Sequence, residues 1–268
     1  MGPPDVDVDE LLALARSVAE AAGALLLEGT TRRRTAVGTK TSPTDMVTEM
    51  DRASEALVVE RLLQARPDDG VLGEEGTARP GTSGVRWVVD PLDGTTNYLY
   101  GFPAWAVSVA AEVGGVVVAA AVADPSHGEV FTATRGGGAA CNGRPLVTGD
   151  GPPLATALVG TGFSYESARR ARQAAVLREL LPRVRDVRRA GAAALDLCWV
   201  AAGRLDAFYE RGLQPWDLAA GALVATEAGA RTGDLDGGPP STAFTLAAGR
   251  DLFDPLRDLL RTAGAAGA

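Results

Sequence analysis

The chain has 268 residues, with 26 Lys plus Arg against 34 Asp plus Glu, a formal net charge of −8, and 46% hydrophobic residues. That charge argues against a nucleic-acid binder, which needs a basic footprint to displace counterions from phosphates, and the length suits one large domain or two fused lobes. The longest uninterrupted apolar run, 116–123, is far short of the roughly 20 residues of a membrane-spanning helix; positions 1–10 are acidic and unlike a signal peptide, and Cys141 and Cys198 match neither a disulfide framework nor a zinc-site spacing, so a reducing, cytoplasmic setting and no membrane partner are expected.

Apolar residues at helical spacing over 9–28 (Leu11, Leu12, Leu14, Ala15, Val18, Ala19, Ala22, Leu25 and Leu26) predict an amphipathic helix capped by Asp7 or Asp9. The polar segment 32–43 reads as loop or irregular strand. Helical periodicity returns over 48–63 and stops at Pro67-Asp68-Asp69-Gly70. Short strands at 71–73 and 85–89 each lead into carboxylates. Apolar blocks over 106–123 broken by Gly114-Gly115, a strand at 129–134 and the hairpin signal Asn142-Gly143 predict an antiparallel sheet. Beyond about 150, strands at 154–161, 184–187, 207–209 and 244–248 alternate with helices at 168–181, 191–203, 217–228 and 252–262, which favours a layered α/β lobe. Residues 1–150 are therefore expected to form an α+β lobe and 151–268 an α/β lobe, joined in one compact unit with a cleft between them. Segment 237–242 and the Ala/Gly tail read as loop and frayed end.

The sole histidine, His127, sits in the turn-like Pro125-Ser126-His127-Gly128, a poor setting for Ser-His-Asp or Cys-His catalysis. Lys40 is the only lysine among 26 basic residues of a chain that lacks isoleucine and holds two asparagines, the signature of a GC-rich coding bias. Its survival marks a place where a compact ammonium does what a planar guanidinium cannot.

The informative string is Trp87-Val88-Val89-Asp90-Pro91-Leu92-Asp93-Gly94-Thr95-Thr96-Asn97. An apolar strand delivers Asp90, Pro91 is expected to stop the ladder, and Asp93 follows at a bend whose Gly94 lets backbone approach a ligand. Thr95 or Thr96 is then expected to cap a following helix or short turn, leaving backbone N–H groups free to hold an anion. Glu74-Glu75 follow another short strand, Trp216-Asp217 open an apolar helix, and Asp45, Glu49 and Asp51 add acid near Lys40. Two carboxylates beside an anion nest repel each other and a phosphate, a conflict that a divalent cation resolves. Hard oxygen donors without clustered His or Cys select Mg²⁺.

Lys40-Thr41-Ser42-Pro43-Thr44-Asp45-Met46-Val47-Thr48-Glu49-Met50-Asp51, Gly73-Glu74-Glu75, Asp90-Pro91-Leu92-Asp93-Gly94-Thr95-Thr96-Asn97-Tyr98 and Trp216-Asp217-Leu218-Ala219-Ala220-Gly221 together resemble the inositol monophosphatase family, within the lithium-sensitive, magnesium-dependent sugar phosphatase superfamily. The resemblance spans residues 7–262. It implies a five-layered αβαβα sandwich of mixed α/β class, an antiparallel-sheet lobe followed by a smaller α/β lobe, and a homodimer, which the sequence itself does not show. It implies two or three Mg²⁺ ions, with Glu74, Asp90 and the carbonyl of Leu92 at the first and Asp90, Asp93 and Asp217 at the second. Gly94 and Thr95 N–H groups would bind the phosphate, and Thr95, supported by Asp51, would help Glu74 orient the attacking water. Lys40 would lie on a loop reaching metal-bound water.

The substrate implied is a small phosphate ester such as inositol 1-phosphate or a related cyclic polyol or sugar monophosphate. Glu210 matches the family's acceptor of ring hydroxyls, Ala193 matches a backbone contact to the ring, and Asp217 also faces substrate. Nucleotide-directed relatives tend to carry a basic residue in place of Glu210, and histidinol-phosphate phosphatases tend to have Tyr-Asp in place of Trp216-Asp217. The alternative is a fructose-1,6-bisphosphatase or dual-specificity enzyme, whose second phosphate would need a basic subsite from Arg169, Arg170, Arg188, Arg189 or Arg211. A regulatory partner that kept the phosphatase fold is the reading from another class; retention of Glu74, Asp90, Asp93 and Asp217 argues against it.

Overall fold

A computed structural model describes residues 6–30, 38–39 and 46–268. Its helices are α1 (Val8–Gly29), α2 (Glu49–Ala65), α3 (Thr95–Tyr100), α4 (Ser167–Leu180), α5 (Ala193–Ala201), α6 (Pro215–Glu227) and α7 (Arg250–Thr262). Asp7 caps α1, its Oδ1 accepting from the N–H groups of Asp9 (2.9 Å) and Glu10 (3.2 Å). Thr48 and Asp51 close a reciprocal capping box on α2.

An eight-stranded sheet runs in the order Arg144–Pro145, Gly138–Cys141, Glu129–Thr134, Val116–Asp124, Ala106–Val113, Val85–Asp93, Gly70–Gly73, Ala78–Arg79. A five-stranded sheet runs Asp186–Arg188, Leu158–Thr161, Ala207–Glu210, Thr245–Ala248, Arg231–Gly233. Gly38–Thr39 pairs separately with Met46–Val47.

Alternate residues of a strand face opposite sides, and the buried side chains sort accordingly into four apolar interfaces. Trp87, Val89, Val107, Val109 and Ala121 pack on Leu11, Val18 and Leu26 of α1 and Val58 of α2. Val88, Ala110, Ala120 and Val122 of the same strands pack the other way, on Leu195 and Cys198 of α5 and Leu223 and Val224 of α6. Phe208 and Ala247 of the small sheet meet the opposite side of α5 and α6 through Leu197, Val200 and Ala225. Val159, Ala207 and Leu246 face outward onto α4 and α7 through Leu180, Leu252, Leu256 and Leu260. Four interfaces between five layers make the αβαβα sandwich. The central layer touches sheets on both sides, so α5, Ala-Ala-Leu-Asp-Leu-Cys-Trp-Val-Ala, is apolar nearly all round.

Several local expectations change. The large sheet is not wholly antiparallel, because Gly70–Gly73 pairs parallel to Val85–Asp93. Pro91 does not end the strand at Asp90; the strand continues to Asp93 with a register shift between Asp90 and Asp93, and a bulge accommodates the missing N–H. Segment 154–161 divides into a 3₁₀ turn, Leu154–Thr156, and the strand Leu158–Thr161. Helix α6 starts at Pro215, which suits a first helical position, so Asp217 lies within the first turn. The expected frayed tail is packed: Ala265 and Ala268 are buried, and Arg172 Nε donates to the Gly267 carbonyl at 2.9 Å. Strands Ala78–Arg79 and Arg231–Gly233 were not foreshadowed by periodicity, being two and three residues long.

Candidate active site

The acids converge on one cleft of about 520 Å³ between the sheets. Glu74, Asp90, Asp93 and Asp217 line it, as do Leu92, Gly94 and Thr95, and Ala193 and Glu210. Asp51 lies behind Thr95 rather than in the lining. Lys40 and Asp45 fall outside the described residues. Glu49 stays exposed at the start of α2, and His127 pairs with Asp124 (Nδ1 to Oδ2, 2.8 Å) away from the cleft lining.

Each acid is aimed by backbone. The bulge turns Asp90 and Asp93 toward the same cleft, and Ser54 Oγ of α2 holds it by donating to the Pro91 carbonyl at 2.7 Å. Asp90 Oδ1 accepts from Leu92 N at 3.0 Å, and Asp93 Oδ2 accepts from Ala194 N at 2.7 Å in the first turn of α5. The N–H of Gln214 donates to Asp217 Oδ2 at 2.6 Å, so Asp217 both caps α6 and lines the cleft. Glu55 of α2 is buried and accepts from Glu75 N (2.8 Å) and Thr77 Oγ1 (2.6 Å), pinning the turn that carries Glu74.

Gly94 adopts φ 92°, left-handed, and a Cβ there would stand 2.9 Å from the Ala104 carbonyl. Only glycine makes this turn into α3 without strain, and Gly94 is itself the N-cap, with no side-chain cap, so neither Thr95 nor Thr96 caps the helix as expected. Thr95 Oγ1 donates to Asp51 Oδ1 at 2.8 Å, while the other Asp51 oxygen accepts from Thr48 N (2.8 Å) and from the Thr48 hydroxyl. The cap of α2 and the start of α3 are thereby locked together.

The electrostatics are those of crowded, buried acid. Burial, then the charge of Glu74, raises Asp90 well above the ordinary carboxylate range. Burial pushes Asp93 to about 7 against the opposing Ala194 N–H, and burial followed by the charge of Asp93 pushes Asp217 to about 8. After burial, the charges of Glu74, Asp93 and Asp217 all act on Asp90 in the same upward direction, as like charges crowded into one cleft do. Glu210, pushed to about 8 by burial and then by Asp217, lies against Gly162, where a Cβ would collide with its carboxylate.

Buried hard oxygen donors that repel one another mark a place where a hard divalent cation fits. No three Asp, Glu, His or Cys side chains close on a common point as a ready-made cage among the described residues. Mg²⁺ does not require one, since it is held by one or two carboxylates together with waters and substrate phosphate.

Of the five arginines considered for a basic subsite, Arg169, Arg189 and Arg211 line the cleft. Arg170 donates to the Ser164 carbonyl (3.0 Å) and Arg188 pairs with Asp186 (2.5 Å), both outside the lining. Sequence reasoning missed Ser54, the clamping role of Glu55, and Asp196. Asp196 is 1% exposed, its Oδ1 has no hydrogen-bond partner among the described residues, and burial raises it well above the usual range. A lone acid in the apolar run of α5 was its available signal.

A sequence profile of the Inositol monophosphatase family matches residues 7–263. The inositol-1-monophosphatase of Mycobacterium leprae is 45% identical across 97% of this chain and 100% of its own length. The Nus factor SuhB of Pseudomonas aeruginosa is 42% identical across 85% of this chain and 86% of its own. The crystal structure of extragenic suppressor protein suhB from Bartonella henselae superposes with a TM-score of 0.89 at 36% identity, covering 94% of this chain and 98% of that one.

Proposed function

The chain belongs to the inositol monophosphatase family and is a phosphatase of that superfamily, and from this premise we propose that it is a Mg²⁺-dependent phosphomonoester hydrolase acting on inositol 1-phosphate or a similar cyclic polyol or sugar monophosphate. The observation that carries the reading is the convergence of Glu74, Asp90, Asp93 and Asp217 on one cleft beside the Gly94–Thr95 turn. Glu74, Asp90, Asp93, Asp217 and the Leu92 carbonyl would hold the cations, which when bound neutralise phosphate and leaving-group charge and acidify water.

The chain's own residues then have distinct tasks. The first N–H groups of α3, at Gly94 and Thr95, take phosphate oxygens, since helix starts favour anions. Because Thr95 Oγ1 gives its proton to Asp51, its lone pairs are left to accept from the attacking water, and Glu74 fixes that water from the other side. The water oxygen bonds to phosphorus as it gives up a proton to Glu74, the ester P–O bond breaks, and the leaving alkoxide takes up a proton from solvent, so that alcohol and inorganic phosphate depart. Glu210 and the backbone at Ala193 orient the ring.

A regulatory partner that kept the phosphatase fold, with the Pseudomonas relative named a Nus factor, is the weaker reading. A chain released from catalysis has no reason to retain buried acids that repel one another. The test is a panel in Mg²⁺ of inositol 1-phosphate, fructose 1,6-bisphosphate, histidinol phosphate and 3′-phosphoadenosine 5′-phosphate. Highest kcat/KM on inositol 1-phosphate or a sugar phosphate is expected; preference for histidinol phosphate or the nucleotide contradicts the substrate class.

A further inference from the structure

The chain sets an arginine directly after its ring-facing acid, and the fold keeps the two from pairing. Glu210 ends the strand Ala207–Glu210, and it and Arg211 line both the cleft and a smaller cavity of about 20 Å³ whose walls include Ala265 and Ala268. The Glu210 carboxylate makes no ion pair or hydrogen bond among the described residues, and the positive charges that bear on it are those of Arg189 and Arg169 rather than of its chain neighbour. A carboxylate and a guanidinium that share one cavity form a strong charge-assisted pair unless one of them is held elsewhere.

Arg211 is held by the segment that follows α7. Its Nη1 donates to the Ala268 main-chain oxygen at 2.5 Å. Gly264, left-handed at φ 80°, ends the helix, and the 3₁₀ turn Ala265–Gly267 brings the chain back against the small-sheet lobe. Ala265 and Ala268 are 2% and 5% exposed, in one apolar cluster with Val176 of α4 and Leu260 of α7. A second arginine fastens the segment, Arg172 of α4 donating its Nε to the Gly267 carbonyl at 2.9 Å. Packing and that bond fix the acceptor that Arg211 uses. None of residues 264–268 lines the cleft, so whatever the segment does to the ester it does through Arg211 and the small cavity behind Glu210.

We propose that segment 264–268 is a positioning element of the ester-binding wall: it draws Arg211 away from Glu210 and so keeps the carboxylate open to ring hydroxyls. Without it, Glu210 is closed by its own neighbouring arginine and the preference for cyclic polyols is lost. The inference rests on the reading of Glu210 as the acceptor of those hydroxyls.

The test compares kcat/KM for inositol 1-phosphate and for glycerol 2-phosphate, in Mg²⁺ and above about pH 8, where Glu210 is ionised. Deletion of 264–268 is expected to lower the preference for the inositol ester by about tenfold through KM, the size of a lost charge-assisted hydrogen bond, with much less change on glycerol 2-phosphate. Adding Arg211→Gln to the deletion removes the competing guanidinium and should restore the preference, which a merely structural role of the segment would not allow. A preference unmoved by the deletion, or a loss that Arg211→Gln does not repair, overturns the proposal. Should the deletion variant fail to fold, Arg172→Gln loosens the segment at Gly267 and is read the same way: a partial loss repaired by Arg211→Gln is expected, and an unmoved preference overturns it. If the intact protein shows no preference between the two esters, the polyol reading of Glu210 fails instead. Crystal structures of the intact protein and the loosened variant then decide the segment's role separately: Arg211 within hydrogen-bond distance of Glu210 only in the variant is expected, and an Arg211 that stays away from Glu210 in both overturns it.

Discussion

The large-sheet wall of the cleft takes Asp90, Leu92, Asp93, Gly94 and Thr95 from one short stretch of chain, whereas the facing wall gathers Arg169, Arg189, Ala193, Glu210 and Asp217 from α4, α5, α6 and loops and strand between them. The first wall is held by backbone: a bulge, a left-handed glycine, and hydrogen bonds from Ser54, Leu92 and Ala194. The second, apart from Ala193 and the backbone-held Asp217, depends on longer side chains seated over glycines. A rigid wall suits chemistry that loses rate with small displacements, and an adjustable one suits the choice of ester. The proposed division of labour follows from that contrast.

The strongest way to break it is Asp93→Asn, which can keep the acceptor for Ala194 N while removing the charge. A fall in kcat of about 100-fold or more is expected, the size of a lost transition-state electrostatic contribution, measured on inositol 1-phosphate with the fold checked by circular dichroism. Near-normal turnover would reduce Asp93 to an anchor for α5.

On the other wall, Glu210→Gln should cost roughly ten- to hundredfold in kcat/KM for inositol 1-phosphate above about pH 8, where the carboxylate is ionised, the range of one charge-assisted hydrogen bond. Glycerol 2-phosphate, which lacks the ring hydroxyls, should change much less. Equal losses on both esters would show that Glu210 supports the scaffold or the acids. A smaller loss is expected from Lys40→Arg, since the bulkier fork replaces the chain's only ammonium; identical kinetics would attribute Lys40 to codon bias.

The mildest effect is thermal. Asp93 at about 7 and Asp217 at about 8 stand above the ordinary carboxylate value of 3.8. Between those values the folded chain holds protons that the unfolded chain has released, so the contribution of these two acids to stability in EDTA is fully present below about pH 4 and is lost as pH rises toward 8. Mg²⁺ binds only the folded acids, so the gain in melting temperature on adding it should widen from acid to neutral pH. A gain independent of pH would contradict the crowded-acid wall, and Asp217→Asn should flatten the decline.

Much of the first wall was legible because its chemistry is local: Asp90-Pro91-Leu92-Asp93-Gly94-Thr95-Thr96-Asn97 specifies strand, turn and helix start within eight residues. The bulge at Pro91 was not, because whether proline ends a strand or rides through it depends on what the neighbouring strand and Ser54 supply. Asp217 could be read as a cap or as a site acid; it caps α6 and also lines the cleft. The arginines were visible as residues but not as an arrangement, since a long side chain is aimed by tertiary contacts such as Arg169 over Gly212. The tail was misread for a related reason: Ala and Gly carry no pattern, and only the apolar gap beside α4 and α7 calls Ala265 and Ala268 inward.

The most direct measurement is phosphate release from inositol 1-phosphate by the protein after exhaustive EDTA treatment and dialysis, then after Mg²⁺ is returned. Loss of activity to background and recovery with Mg²⁺ is the predicted result. Turnover that persists without a divalent cation would contradict a metal role for Glu74, Asp90, Asp93 and Asp217.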